Sequence, residues 1–101
     1  MDDQSPLNLH RKYIDRIDRT IVALLSERMR LGQMVGTIKR ERAWPTRMAE
    51  REAEVMATVR AAAARPLSPE CAQRIFALII EETSAVQEGV LDAGERCDDG
   101  C

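Results

Sequence analysis

The chain is poor in the residues that build a conventional catalytic set. It has one histidine (His10), three aromatic residues (Tyr13, Trp44 and Phe76) and five scattered glycines among 101 residues. A lone histidine near the N-terminus leaves no serine–histidine–acid combination and no histidine-based metal cluster. The glycines form no phosphate-cradling loop. Few aromatics and many aliphatics suit a helical protein rather than a β-sandwich. No apolar run approaches the ~20 residues that a membrane-spanning helix needs. The N-terminal segment Met1 to Pro6 has neither the basic nor the apolar region of a signal peptide, so a cytoplasmic address without membrane contact is expected. The three cysteines, Cys71, Cys97 and Cys101, are odd in number and lack metal-type spacing, and read as reduced thiols.

Net charge is only -2, but it is unevenly spread. Residues 10–51 hold eleven Lys and Arg against five Asp and Glu, whereas residues 88–101 hold five acids and one Arg. The basic residues form no contiguous run and match no nucleic-acid-binding motif, and Trp44 is the only aromatic near the densest of them. A small anionic ligand accounts for these cations better than nucleic acid does.

What the chain does have is aliphatic periodicity. Ile14, Ile17, Ile21, Leu24, Arg28, Leu31, Val35 and Ile38 recur at 3-4-3-4-3-4-3 spacing, which places all eight on one face of a single helix. Ser5 and Pro6 supply its start, and the residue before Pro45 is pushed out of the helical region, so the helix is predicted over about 7–42. A second helix is predicted over 48–64, and a third over 69–90, opened by Ser68, Pro69 and Glu70. Residues 1–90 thus form one all-α domain of one long and two shorter helices. Residues 91–101, acidic and without periodicity, read as a disordered tail.

Unbroken, the first helix is too long for a compact monomer. About 36 residues at 1.5 Å rise give ~54 Å, against a radius of gyration near 13 Å for a compact chain of this size. Two short helices cannot cover such a rod. A homodimer with the long helices packed together is the economical solution, the alternative being a monomer whose first helix breaks near Gly32 or Gly36. These two glycines, one turn apart, invite close approach of a neighbouring helix or a ligand.

Each helix also carries polar residues on its inward face. Arg28 interrupts the first stripe, and Lys39 and Arg11 lie on its flank. Glu52 occupies a core-facing slot in the second stripe (Met48, Glu52, Val55, Val59, Ala62), beside Arg51. On the third helix Phe76 and Ile80 give way to Thr83 and Gln87 at 4-3-4 spacing. Singly, these could be solvated residues, or a structural Arg28–Glu52 ion pair. Jointly they describe a pocket with several cations, one carboxylate and one neutral amide. Such a site has no nucleophile or base, and suits a reaction that needs a dianion fixed in a reactive shape and developing charge stabilised.

Several segments together, Leu9-His-Arg-Lys-Tyr-Ile-Asp-Arg-Ile-Asp18, Leu24-Leu-Ser-Glu-Arg28, Val35-Gly-Thr-Ile-Lys39, Pro45-Thr-Arg-Met-Ala-Glu-Arg-Glu52 and Ile79-Ile-Glu-Glu-Thr-Ser-Ala-Val-Gln87, make the chain resemble the all-helical chorismate mutases over roughly residues 5–90. The resemblance implies three helices per subunit, an intertwined homodimer, and rearrangement of chorismate to prephenate in aromatic amino-acid biosynthesis, with no cofactor and no metal. It implies that Arg11 comes from the partner subunit to hold one substrate carboxylate while Arg28 binds the other, with Arg51 beside the ring. Lys39 and Gln87 would donate to the ether oxygen, Glu52 would hold the ring hydroxyl, and Thr83 would support the carboxylate end. Met48 stands where other members carry an aspartate near that hydroxyl. The same fold also serves isochorismate pyruvate lyases and aminodeoxychorismate mutases. Glu52 favours the mutase over the lyase, and a non-catalytic helical dimer would have no reason to keep the set.

Overall fold

The computed structural model describes residues 5–89. Three helices make up the fold: α1 (Pro6–Glu41), α2 (Ala49–Ala62) and α3 (Pro69–Gln87). The acidic tail at 91–101 and the last predicted residue of the third helix lie outside the described residues. No helix among the described residues is long and apolar enough to cross a membrane.

Local chemistry sets the helix ends. The Ser5 side chain accepts a hydrogen bond from the Asn8 backbone N–H at 3.1 Å, and Ser68 does the same for Cys71 at 3.0 Å, each followed by a first-turn proline. At its other end α1 closes with paired hydrogen bonds from Ala43 N–H to the Arg40 carbonyl (3.2 Å) and from Trp44 N–H to the Lys39 carbonyl (2.8 Å). Ala43 there takes a left-handed conformation, φ 57°, at a position usually given to glycine. The second helix ends at Ala62 rather than Ala64, because Ala63 is already extended (ψ 137°) on the way into Arg65 and Pro66. The third ends at Gln87, where Gly89 turns the chain at φ 71°.

α3 packs against both other helices, whereas α1 and α2 make no direct packing contact. The small core lies along α3, on Ala72, Ile80, Thr83 and Val86, with Val59 from α2. Gly32 and Gly36 are the buried residues of α1, and they admit α3 rather than marking a break, since α1 is continuous through them. A Cβ at Gly32 would meet the Thr83 Cγ2 at 3.0 Å, and one at Gly36 would meet the Gln87 Cα at 2.6 Å.

α3 covers only the glycine flank of α1. The aliphatic stripe beside it stays open, with Ile14, Ile17, Ile21, Leu24, Leu31, Val35 and Ile38 between 41% and 65% exposed. The shape is correspondingly extended, 60 × 34 × 19 Å with a radius of gyration of 17.1 Å.

Candidate active site

Because α1 and α2 both lean on α3 with their backbones held apart, a groove of about 340 Å³ opens between all three helices. Of the residues singled out in the sequence, Arg28, Lys39, Met48, Arg51, Glu52, Thr83 and Gln87 all line it. Arg11 does not. It lies seventeen residues before Arg28 on the same straight helix, roughly 25 Å away along the axis.

Arg28 is half-buried at the junction of α1 and α3. One guanidinium nitrogen donates to the Thr83 hydroxyl, and the guanidinium carbon sits 5.9 Å from the centre of the Phe76 ring. The Thr83 hydroxyl in turn donates to the Ile79 carbonyl at 2.7 Å, so it serves as a fixed acceptor for Arg28. Burial first, and the like charge of Arg51 second, lower the pKa of Arg28 from the ordinary arginine value. An arginine stays protonated despite such a shift. The result is a cation poised beside a second cation, an arrangement that favours an incoming anion.

Lys39 and Gln87 meet at the other end of the groove. The Lys39 ammonium donates to the Gln87 Oε1 at 2.8 Å and to the Thr46 backbone carbonyl at 2.6 Å. An ammonium has three donors and a carboxamide two, so this pairing leaves one Lys39 N–H and the Gln87 NH2 group to a ligand. Gln87 is fixed from behind as well: the Arg40 guanidinium donates to its backbone carbonyl at 2.5 Å.

Glu52 does not pair with Arg28. Arg47 grips it, Nε to Oε2 at 2.7 Å and the terminal nitrogen to Oε1 at 2.9 Å. Hydrogen bonding from Arg47 is the main cause that lowers the Glu52 pKa below the ordinary glutamate value, with the charges of Arg47 and Lys39 adding to it against partial desolvation. Arg51 pairs with Glu54 at 3.1 Å, but both side chains are largely exposed, and a surface pair of this kind exchanges readily. Met48 is the N-cap residue of α2 and makes no side-chain capping bond.

Two contributors escaped the sequence reading, Arg47 and the carbonyl of Thr46. Both lie in the connector between α1 and α2, where periodicity carries no information. The available signal was the position of Glu52 in the first turn of a helix, within reach of a long cation on the segment leading into that turn. A second, apolar cavity of about 430 Å³ adjoins the groove and shares Arg28, Arg51 and Val55 with it. Among the described residues no group of three or more His, Cys, Asp or Glu side chains is placed to hold a metal ion.

Compared with known proteins, residues 10–88 match the family model described as chorismate mutase type II. Among solved structures, the chorismate mutase (form II) of Thermus thermophilus is 32% identical, with a TM-score of 0.80 over 83% of this chain and 96% of that one. A conserved hypothetical protein from Pyrococcus furiosus is 33% identical, with a TM-score of 0.71 over 84% of this chain and 99% of that one. No curated protein sequence matches the chain.

Proposed function

This chain belongs to the chorismate mutase type II family and is an isomerase, a chorismate mutase; we propose that it converts chorismate to prephenate in the groove between its three helices. The observation that carries the proposal is the Lys39–Gln87 pair at 2.8 Å. It presents two hydrogen-bond donors at one point. The rearrangement is unimolecular and pericyclic, and negative charge grows on the ether oxygen as its C–O bond breaks. Donors held in place beforehand stabilise that charge without reorganising, which lowers the barrier directly.

In this reading Arg28, steadied by Thr83, takes one carboxylate of the substrate and so selects the compact, chair-like shape in which the reacting carbons meet. Arg51 lies beside the ring, and Glu52 accepts a hydrogen bond from the ring hydroxyl with Met48 next to it. The second carboxylate goes to Arg11 of a second copy. What supports this is the ~25 Å that separates Arg11 from the groove of its own subunit, together with an exposed aliphatic stripe that a second α1 would cover. The proposal therefore includes a homodimer with two equivalent sites. It also includes a cytoplasmic setting, with which the unpaired thiol of Cys71 agrees.

Incubating purified protein with chorismate in the presence of a chelator, and following prephenate by NMR, tests the reaction. Isochorismate and aminodeoxychorismate run in parallel test the ring substituent. Arg28→Ala and Lys39→Ala should each lower kcat/KM by roughly a hundredfold or more. Full activity in either variant would refute the assignment of the groove.

A further inference from the structure

The connector between α1 and α2 contributes two adjacent residues that grip the groove from opposite sides. The Thr46 carbonyl accepts from Lys39 on α1, while the Arg47 side chain forks onto Glu52 on α2. α1 and α2 are joined in packing only through α3, and these connector contacts add a direct tie between Lys39 on one and Glu52 on the other. Their separation matters because the two carry opposite charges and line the same groove. A free Glu52 carboxylate would be drawn to Lys39 and would neutralise the ammonium that the proposed reaction needs.

We propose that Arg47 is a positioning residue, which fixes the Glu52 carboxylate at the α2 wall of the groove and keeps it off Lys39. The proposal rests on the reading of Glu52 and Lys39 given above. Arginine suits the task because its planar guanidinium meets both carboxylate oxygens at once, while each oxygen keeps a lone pair for the substrate. Lysine offers a point charge and cannot set the orientation of the carboxylate plane. The charged groups around the pair are Lys39 from α1, which like Arg47 favours the ionised carboxylate, and Glu81 from α3, which acts on Arg47.

The test compares the wild type with Arg47→Gln and Arg47→Lys, each shown to be helical by circular dichroism, using two separate readouts. The first is the Glu52 carboxyl titration followed by carbon NMR, which needs no substrate. The second is the pH profile of kcat and KM for chorismate. In Arg47→Gln the Glu52 midpoint should rise toward the ordinary glutamate value, the acid limb of kcat/KM should move with it, and kcat should fall at neutral pH. Arg47→Lys should restore most of the midpoint but only part of kcat. A Glu52 midpoint that moves while the rate profile stays put supports the grip of Arg47 and sinks instead the substrate contact assigned to Glu52. An unmoved Glu52 midpoint in Arg47→Gln overturns the proposal.

Discussion

Gly36 and Gln87 touch backbone to backbone: a Cβ on Gly36 would stand 2.6 Å from the Gln87 Cα and 2.7 Å from its carbonyl carbon. This contact places the Gln87 amide beside Lys39. Gly36→Ala must therefore push the end of α3 away from α1. Helix propensity favours alanine by ~1 kcal/mol, but overpacking against rigid backbone costs about 1–3 kcal/mol. We expect a net loss of stability in urea unfolding and a larger loss of kcat, because the displaced amide leaves the Lys39 ammonium. Gly32→Ala is the control. Its new methyl comes tight only against the Thr83 Cγ2 side-chain atom at 3.0 Å, with the Thr83 carbonyl oxygen and Gln87 Cγ at ordinary contact distances of 3.9 and 4.0 Å, so the two terms should nearly cancel in stability.

The open stripe on α1 predicts oligomeric state. Ile17 is 56% exposed in one subunit, so in a monomer Ile17→Glu would be a surface change worth less than about 0.5 kcal/mol. In a dimer the same change buries a charge. Light scattering of the wild type should give twice the 11.4 kDa of one chain, with a melting temperature that rises with concentration. Ile17→Glu should abolish both the proposed dimer and, since the proposed site takes Arg11 from a second copy, the activity.

Met48 is an N-cap without a capping side chain, in the extended conformation that a cap requires (φ -123°, ψ 111°). Met48→Asp should therefore stabilise α2 by about 1 kcal/mol, read as a higher urea midpoint. It also sets a second carboxylate close to Glu52. A changed ratio of turnover between chorismate and aminodeoxychorismate would show that position 48 faces the ring substituent, and an unchanged ratio that its effect is confined to the cap.

Helical periodicity explains how much of this was legible. Arg28, Glu52, Thr83 and Gln87 announce themselves because a polar residue in an apolar stripe breaks a local pattern that a reader can count. The length of α1 likewise announces a face that α2 and α3 leave exposed. Gly32 and Gly36 signalled close approach without saying of what. The grip of Arg47 on Glu52 was not legible, because it joins a connector residue to a helix residue through side-chain geometry alone. The end of α1 was only half legible: Pro45 forecasts a break, but the left-handed Ala43 that makes it carries no glycine to mark the place.

Gln87 and Glu52 together predict the pH profile. A carboxamide donates hydrogen bonds at any pH, so Gln87 should impose no limit of its own. The proposed reaction needs Glu52 ionised, and the hydrogen bonds from Arg47 hold its pKa below the ordinary glutamate value. What its ionised form contributes is thus present at neutral pH and lost only as pH falls through that lowered value. Wild-type kcat/KM should stay level at neutral pH and turn down only below the ordinary glutamate value. Gln87→Glu reverses the requirement at one position, since the new carboxyl can donate to the ether oxygen only when protonated, and Lys39 beside it favours the ionised form. At neutral pH this variant should lose roughly a hundredfold in kcat and regain activity as pH falls, until Glu52 protonates in turn. A Gln87→Glu profile parallel to that of the wild type would exclude hydrogen-bond donation by residue 87.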